Sequence, residues 1–246
     1  MKSITAVIVS AFISAASISA QVTGQPAVRT ELNYGNRAQD IIYDRAKIYL
    51  DGQVYLINGL QVVGSPFLYP NWNGGSIISV QEKTFSGYKL KYNVFSQTVF
   101  FQQGKDSLEV NEAVKQFILL VPTDSNTVQT FTFVHSDQFS KEKTPHYYEV
   151  LLDNEKGLLL KANQKIVGEP DNGLPVQSGK KVFRLDVSFS YFDKKSKKLT
   201  KIKGNGANIE KVLGLNGEEL KRLGTDTIDF NMEPDLVRLF KAYFTQ

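Results

Sequence analysis

Residues 183–191 read Phe-Arg-Leu-Asp-Val-Ser-Phe-Ser-Tyr, and this stretch decides the fold class. Apolar residues occupy every second position, with polar or charged residues between them. Side chains alternate between the two faces of a β-strand, so the pattern predicts a strand with one buried face and one wet face. The stretch 88–94, Tyr-Lys-Leu-Lys-Tyr-Asn-Val, alternates in the same way. The sequence therefore predicts a protein built from β-strands.

Further short apolar runs, separated by polar residues, extend this pattern through the middle of the chain. They lie at 77–80, 99–101, 108–110, 117–121, 131–133, 147–152 and 158–162. Asp51-Gly52 between 47–50 and 53–57 predicts one hairpin turn, and Asp153-Asn-Glu-Lys-Gly157 predicts another. Because parallel strands need connections of a dozen residues or more, these short connections favour antiparallel pairing.

The predicted fold class is mainly β: an antiparallel up-and-down sandwich or partly closed barrel with a short C-terminal helical appendage. A small outer-membrane β-barrel is the competing architecture. Its strands need about 9–11 residues, which is longer than most of the runs. The predicted organisation is a signal peptide at 1–20, an N-terminal arm at 21–45, an antiparallel β domain at 46–203 and the helical appendage at 204–246.

The appendage is predicted from a change of period after Gly204. Asn205 can cap a first helix that ends at Gly214, and Asn216 with Glu219 has the spacing of a capping box. Pro234 suits the first turn of a last helix. The apolar residues of that helix recur at helical spacing at Leu236, Leu239, Phe240, Tyr243 and Phe244.

The N-terminus has the pattern of an export signal. Lys2 precedes an uncharged, mostly apolar run, and Ala20 is a small residue where a signal peptidase would cut, before Gln21. The chain contains no cysteine, which excludes a lipid-modified cysteine and a disulfide framework. The predicted location is periplasmic or secreted, with a peripheral position at the outer membrane as an alternative. No transmembrane span is predicted after signal cleavage.

Tyr69 and Trp72 are the candidate ligand-binding residues. They lie with Phe67 in a predicted loop at 64–75 that is bounded by Pro and Gly. Aromatic rings on a loop can form a platform for a sugar or a peptide, because they bury a large area at low entropic cost. They can equally plug one end of a β-sandwich, and the sequence favours the plug.

Lysines form the strongest charge feature of the sequence. They are Lys180, Lys181, Lys194, Lys195, Lys197, Lys198, Lys201 and Lys203. Most flank the turn of a predicted hairpin with strands at 182–192 and 199–203. Such a hairpin can bind an envelope protein or an anionic lipid or glycan, or it can simply guard an edge strand against pairing. A formal net charge of +4 and the absence of a recognisable module predict no nucleic-acid partner.

The sequence predicts no catalytic, cofactor-binding or metal site. His135 and His146 are too few for a zinc site without carboxylates from elsewhere, and they are predicted to be surface residues. Glu109, Glu149 and Asp186 lie in or beside strands, where carboxylates commonly occupy the wet face. A glycine-rich turn at 204–209 lacks the third glycine of a dinucleotide-binding fingerprint.

Three stretches carry a resemblance to a family. Residues 64–76 read Gly-Ser-Pro-Phe-Leu-Tyr-Pro-Asn-Trp-Asn-Gly-Gly-Ser, 87–101 contain Lys-Tyr-Asn-Val-Phe-Ser-Gln, and 233–244 read Glu-Pro-Asp-Leu-Val-Arg-Leu-Phe-Lys-Ala-Tyr-Phe. Together they resemble uncharacterised exported β-rich proteins of Bacteroidota-type bacteria, except that Phe67 stands where a tyrosine is expected. The resemblance implies a periplasmic or surface protein and transfers no activity and no functional residue.

We therefore expect an exported envelope protein with a non-enzymatic binding or structural role. The alternative is a hydrolase that acts on envelope polysaccharide or peptidoglycan through paired carboxylates.

Overall fold

A computed structural model describes residues 54–57, 59–111, 113–123, 127–141, 144–170, 180–224 and 228–245. The predicted signal peptide, the N-terminal arm and the Asp51-Gly52 turn lie outside the described residues. The prediction of a mainly β protein with a short C-terminal helical appendage is confirmed.

The described chain forms twelve strands followed by three helices. The strands are β1 (Val54–Ile57), β2 (Leu60–Val63), β3 (Asn73–Ser79), β4 (Thr84–Asn93), β5 (Thr98–Gln103), β6 (Asp106–Glu109), β7 (Val114–Pro122), β8 (Val128–His135), β9 (Tyr147–Asp153), β10 (Gly157–Gly168), β11 (Lys181–Asp193) and β12 (Lys198–Ile202). The helices are α1 (Gly206–Leu213), α2 (Gly217–Arg222) and α3 (Glu233–Phe244).

All described strands belong to one open sheet with the order β1-β2-β11-β10-β9-β8-β7-β3-β4-β5-β6, and β12 pairs with β11. Every described pair is antiparallel except β2 with β11, which is parallel. The expectation of a purely antiparallel sheet is wrong at this pair. The two strands are joined through β3–β10, a connection far longer than parallel pairing requires, and short local turns say nothing about such distant pairs.

The predicted loop at 64–75 is shorter than expected, because β3 begins at Asn73. Gly74 and Gly75, which were predicted to lie in the loop, are therefore strand residues. A Cβ atom at Gly75 would collide with the carbonyl oxygen of Ile118 and approach Leu90 Cδ1 to 2.8 Å. At this position glycine allows the backbone of β7 to lie close to β3.

Replacing Gly75 with Ala should lower the free energy of unfolding by about 2–3 kcal/mol, since the added methyl group meets backbone that cannot move aside. Gly74→Ala is the matched control, because its Cβ would meet only the side chain of Leu120 at 3.8 Å. Denaturant unfolding of both variants measures the difference. Equal stabilities for the two variants would contradict the close approach.

The sheet curls around a first apolar core. Its buried residues are Ile77, Leu90, Tyr92, Val94, Val99, Val114, Phe117, Leu119, Phe133 and Tyr147. Tyr92 lies at the centre, with ring centroids of Phe117, Phe133 and Tyr147 at 5.1, 5.4 and 5.8 Å. The curl brings the turn after β4 onto β10, where the amide of Lys165 donates to the carbonyl of Val94 at 3.2 Å.

The side chain of Gln97 stabilises this curl through four hydrogen bonds. Its Nε2 donates to the carbonyls of Val94 at 2.8 Å and Asn163 at 3.1 Å. Its Oε1 accepts from the amide of Tyr147 at 3.1 Å and from the hydroxyl of Tyr92. One side chain with all four hydrogen bonds made thus ties the β4–β5 turn to β9 and β10.

The turn that carries Gln97 occurs a second time, between β11 and β12. In the first turn Asn93 Oδ1 accepts from two following amides and Gln97 has a φ of 58°. In the second, Asp193 Oδ1 accepts from two following amides and Lys197 has a φ of 56°. The same backbone turn therefore carries a half-buried, hydrogen-bonded glutamine in one hairpin and an exposed lysine in the other.

The helices cover a second apolar core on β10, β11 and β12. Its buried residues are Leu159, Phe189, Tyr191, Ile202, Ile209, Leu213, Leu220, Leu236, Leu239 and Phe240. The predicted caps are confirmed: Asn205 accepts from Asn208, and Asn216 forms a capping box with Glu219. No helix among the described residues is long and apolar enough to cross a membrane.

Candidate functional site

Tyr69 and Trp72 do not form one aromatic platform. The ring of Tyr69 lies 5.4 Å from that of Phe131 and packs against the first core. The ring of Trp72 lies 5.7 Å from the ammonium of Lys91. Lys91 stands between two core residues of β4, so its side chain is on the opposite face of that strand. The two candidate rings therefore belong to opposite faces of the curled sheet.

Lys91 is itself only 3% exposed, and its ammonium lies 4.6 Å from the ring centroid of Phe67. Burial lowers the pKa of Lys91. Phe67, at 3% exposure, closes this side of the fold over the lysine. Phe67 is thus buried over Lys91, while Trp72 is half-buried.

A partly buried ionic network lies between the two cores, beside Tyr69. Lys161 Nζ contacts Oε2 of Glu149 at 3.0 Å and Oε2 of Glu233 at 2.9 Å. Asn163 Nδ2 donates to the same oxygen of Glu149 at 2.9 Å. Burial acts to lower the pKa of Lys161, but the two carboxylates outweigh it and hold the pKa above its usual value. Burial, with these carboxylates close by, also raises the pKa of Tyr69.

The carboxylates considered for hydrolysis do not meet. Glu149 is 3% exposed and bound in the network, whereas Glu109 of β6 is not among the described partners of that network. Asp186 pairs with Gln164 in the β10–β11 ladder, one position away from the register of Asn163. Side chains at successive positions point to opposite faces, so Asp186 lies on the face away from Glu149.

The two histidine rings contact different tyrosines. The ring of His135 lies 5.1 Å from Tyr147 and that of His146 lies 4.4 Å from Tyr148. Tyr147 and Tyr148 are successive residues of β9 and face opposite sides. Among the described residues no group of three or more His, Cys, Asp or Glu side chains could hold a metal ion.

A cavity of about 280 Å³ opens at the end of the first core. We call it the Tyr147 cavity. Its lining residues are Val80, Gln97, Thr98, Val99, Glu109, Val110, Ala113, Val114, His135, Asp137, Gln138 and Tyr147. Tyr147 is 8% exposed, and its hydroxyl has no hydrogen-bond partner within the part of the chain that the structure describes.

The cavity has an uncharged histidine at its edge. His135 Nδ1 accepts from the amide of Asp137 at 3.3 Å. Burial lowers the pKa of His135 further than the nearby Asp137 raises it. The imidazole is therefore neutral at pH 7. His135 is half-buried, which corrects its prediction as a surface residue; its alternation with Phe131 and Phe133 was the signal that could have shown this.

Neither a family model, nor a curated protein, nor a solved structure matches the chain.

The lysines predicted as one set are divided by the structure. Lys181 is the first residue of the 13-residue β11 and is paired with Glu169, and Lys180 directly precedes the strand. The others lie at its far end, in what we call the lysine-rich hairpin, residues 194–203. Lys194 is paired with Asp153. Five lysines of the hairpin are exposed and have no ion-pair partner among the described residues: Lys195, Lys197, Lys198, Lys201 and Lys203.

Proposed function

We propose that the protein is an exported, non-enzymatic component of a bacterial cell envelope that binds an anionic membrane surface through the lysine-rich hairpin. The observation that carries the proposal is the set of five exposed lysines on one hairpin, without ion-pair partners in the described part of the chain. The secretory pattern of residues 1–20 supports the envelope location.

The physical basis is charge concentration rather than net charge. A lysine held near an anionic lipid surface contributes roughly 1 kcal/mol, and the attraction decays over a Debye length of about 10 Å at 0.1 M salt. Five lysines on one short hairpin can lie within that distance of one surface together. The turn that presents them is fixed by Asp193 Oδ1, which accepts from the amides of Lys195 and Ser196 at 2.8 Å.

Changing all five lysines to Gln should reduce binding to phosphatidylglycerol vesicles by about a hundredfold or more, because each loses roughly 1 kcal/mol of attraction. Wild-type binding should disappear on phosphatidylcholine vesicles and in high salt. Co-sedimentation with vesicles measures both effects.

The matched control is a second five-lysine variant with the same change of net charge. Lys89, Lys105, Lys141, Lys211 and Lys221 are exposed residues elsewhere on the described surface. If this variant loses as much binding as the hairpin variant, the attraction is not local. If the hairpin variant keeps its lipid binding but self-associates in sedimentation velocity, the lysines guard the edge strand β12 instead.

A further inference from the structure

The strand β11 has an open edge in the middle of its length. Along one side it pairs with β10 from Val182 to Asp193. Along the other side β2 pairs with Lys181 and Val182, and β12 pairs with residues 189–193. Residues 183–188 therefore have no second neighbouring strand within the described part of the chain. We call this gap the β11 slot.

The slot has the dimensions of one short strand. Six extended residues span about 20 Å, and neighbouring strands lie about 4.8 Å apart. β2 and β12 both lie next to β11 on the side away from β10, so the gap between their ends is one strand wide. A second copy of the chain cannot fill the slot with its own β11, because that strand is recessed between β2 and β12 in the same way. A single extended peptide segment fits.

The backbone of the slot is available for strand addition. Arg184, Leu185, Asp186 and Val187 are four successive exposed residues. Apart from the ladder with β10, no backbone hydrogen bond is described for residues 185–188. An unpaired strand edge presents amide and carbonyl groups to which an extended peptide can add as a further strand.

One face of the slot is apolar. Leu185 and Val187 are 50% and 38% exposed, and they share a face because alternate residues of a strand point to the same side. On that face Phe183 packs against the small apolar cluster of β1 and β2, and Phe189 and Tyr191 belong to the core under the helices. Leu185 and Val187 are thus left uncovered between two packed regions. Apolar residues at alternate positions of an added peptide would cover them.

The other face of the slot carries charges in a fixed order. Arg184 and Asp186 alternate with the two apolar residues, and Lys201 shares their face because it pairs with Ser190. All three charged residues are exposed. The order is positive, negative, positive, so a peptide with an acidic, a basic and an acidic residue on this face places an opposite charge beside each. Arg184 can serve an additional acceptor, because a guanidinium has five N–H donors.

We propose that the β11 slot binds an extended segment of another protein as an added strand. Two apolar residues of the segment lie against Leu185 and Val187. On the charged face, acidic residues lie beside Arg184 and Lys201, and a basic residue lies between them beside Asp186. This proposal goes beyond membrane binding, and its surface shares only Lys201 with the lysine-rich hairpin, so either proposal can fail without the other.

The test compares three pentapeptides with blocked ends. The first, Glu-Val-Lys-Val-Glu, has the proposed pattern and reads the same in both chain directions, so it suits parallel and antiparallel addition. The second, Lys-Val-Glu-Val-Lys, reverses every charge. The third, Val-Glu-Glu-Lys-Val, has the composition of the first without its alternation, which controls for attraction by net charge.

Binding to the isotope-labelled full chain is measured at pH 7 by NMR titration. The first peptide should bind in the millimolar range and at least about tenfold more tightly than the other two, with the largest shifts at residues 183–188. No binding of the first peptide, or equal binding of the first and third, would overturn the proposal.

Two variants locate the peptide. Leu185→Lys should weaken binding of the first peptide by about tenfold, because it places a charge against the valines. Leu120→Lys is the matched control at a residue of β7 that is 41% exposed, and it should leave binding unchanged. Asp186→Lys should weaken the first peptide and strengthen the second, whose central residue is acidic. An unchanged preference in Asp186→Lys would refute the assigned position.

Hydrogen exchange of the free full chain tests whether the slot is already filled. The amides at residues 184–188 that do not face β10 should exchange rapidly and become protected when the first peptide is added at saturation. Protection of these amides in the free chain would mean that a segment of the same chain occupies the slot, and it would overturn the proposal.

Discussion

Replacing Gln97 with Met should lower the free energy of unfolding by about 3–5 kcal/mol, because four hydrogen bonds are lost and several of their partners are buried. The hydroxyl of Tyr92, which is 1% exposed, and the amide of Tyr147 would both lose an acceptor. Met has nearly the length of Gln and the same difficulty with a positive φ, so the change tests the hydrogen bonds rather than the shape. Guanidinium unfolding followed by Trp72 fluorescence measures the loss.

Two controls separate the effect of the Gln97 hydrogen bonds from general effects of substitution. Tyr92→Phe removes one of the four bonds and should cost only about 1 kcal/mol. Gln103→Met makes the same chemical change at an exposed position of β5 and should alter stability by less than about 0.5 kcal/mol. If Gln97→Met lowers the free energy of unfolding no more than Tyr92→Phe does, the hydrogen bonds of Gln97 do not stabilise the curled sheet.

Replacing Lys161 with Met should lower the free energy of unfolding by about 3–5 kcal/mol, because the charge of Glu149 is left buried without its cation. The side chain of Glu149 is 4% exposed, and Asn163 would be its remaining partner in the network. Because the pKa of Lys161 is raised, the stability that it contributes is fully present below about pH 10.4 and is lost as the pH rises through the raised value.

The second substitution needed for this test is Glu149→Gln. The double variant Lys161→Met with Glu149→Gln removes both charges and should regain most of the lost stability, because uncharged groups of similar size can replace a buried pair at small cost. Glu233→Gln is the exposed control; its side chain is 41% exposed, so it should cost less than about 1 kcal/mol. A double variant as unstable as Lys161→Met alone would mean that packing, not charge, makes the lysine necessary.

The alternation of apolar residues was sufficient to predict most of the strands, and the positions of the capping residues predicted the helix caps. The alternating stretch 183–191 lies within β11. Asn205 and Asn216 cap α1 and α2 at the positions that the sequence predicted. These features depend on neighbours in the sequence. The parallel pairing of β2 with β11 depends on strands more than a hundred residues apart, and no local signal specifies it.

The candidate sites were harder to predict for the same reason. Glycine is usually read as a turn residue, yet Gly75 lies in a strand because Ile118 of a distant strand approaches it. Tyr69 and Trp72 are three residues apart in the sequence but lie on opposite faces. In the sequence Gln97 has the features of an ordinary polar turn residue. Its hydrogen bonds to Tyr147 of β9 and Asn163 of β10 depend on the folded arrangement of distant strands.

The bonds of Gln97 also bear on how long the folded state lasts. Its partners Tyr147 and Asn163 lie 50 and 66 residues further along the chain. Contacts between such distant segments cost more loop-closure entropy than local hairpins, so they form late during folding. Loss of late contacts mainly accelerates unfolding rather than slowing folding. We therefore expect the hydrogen bonds of Gln97 to slow unfolding more than they speed folding.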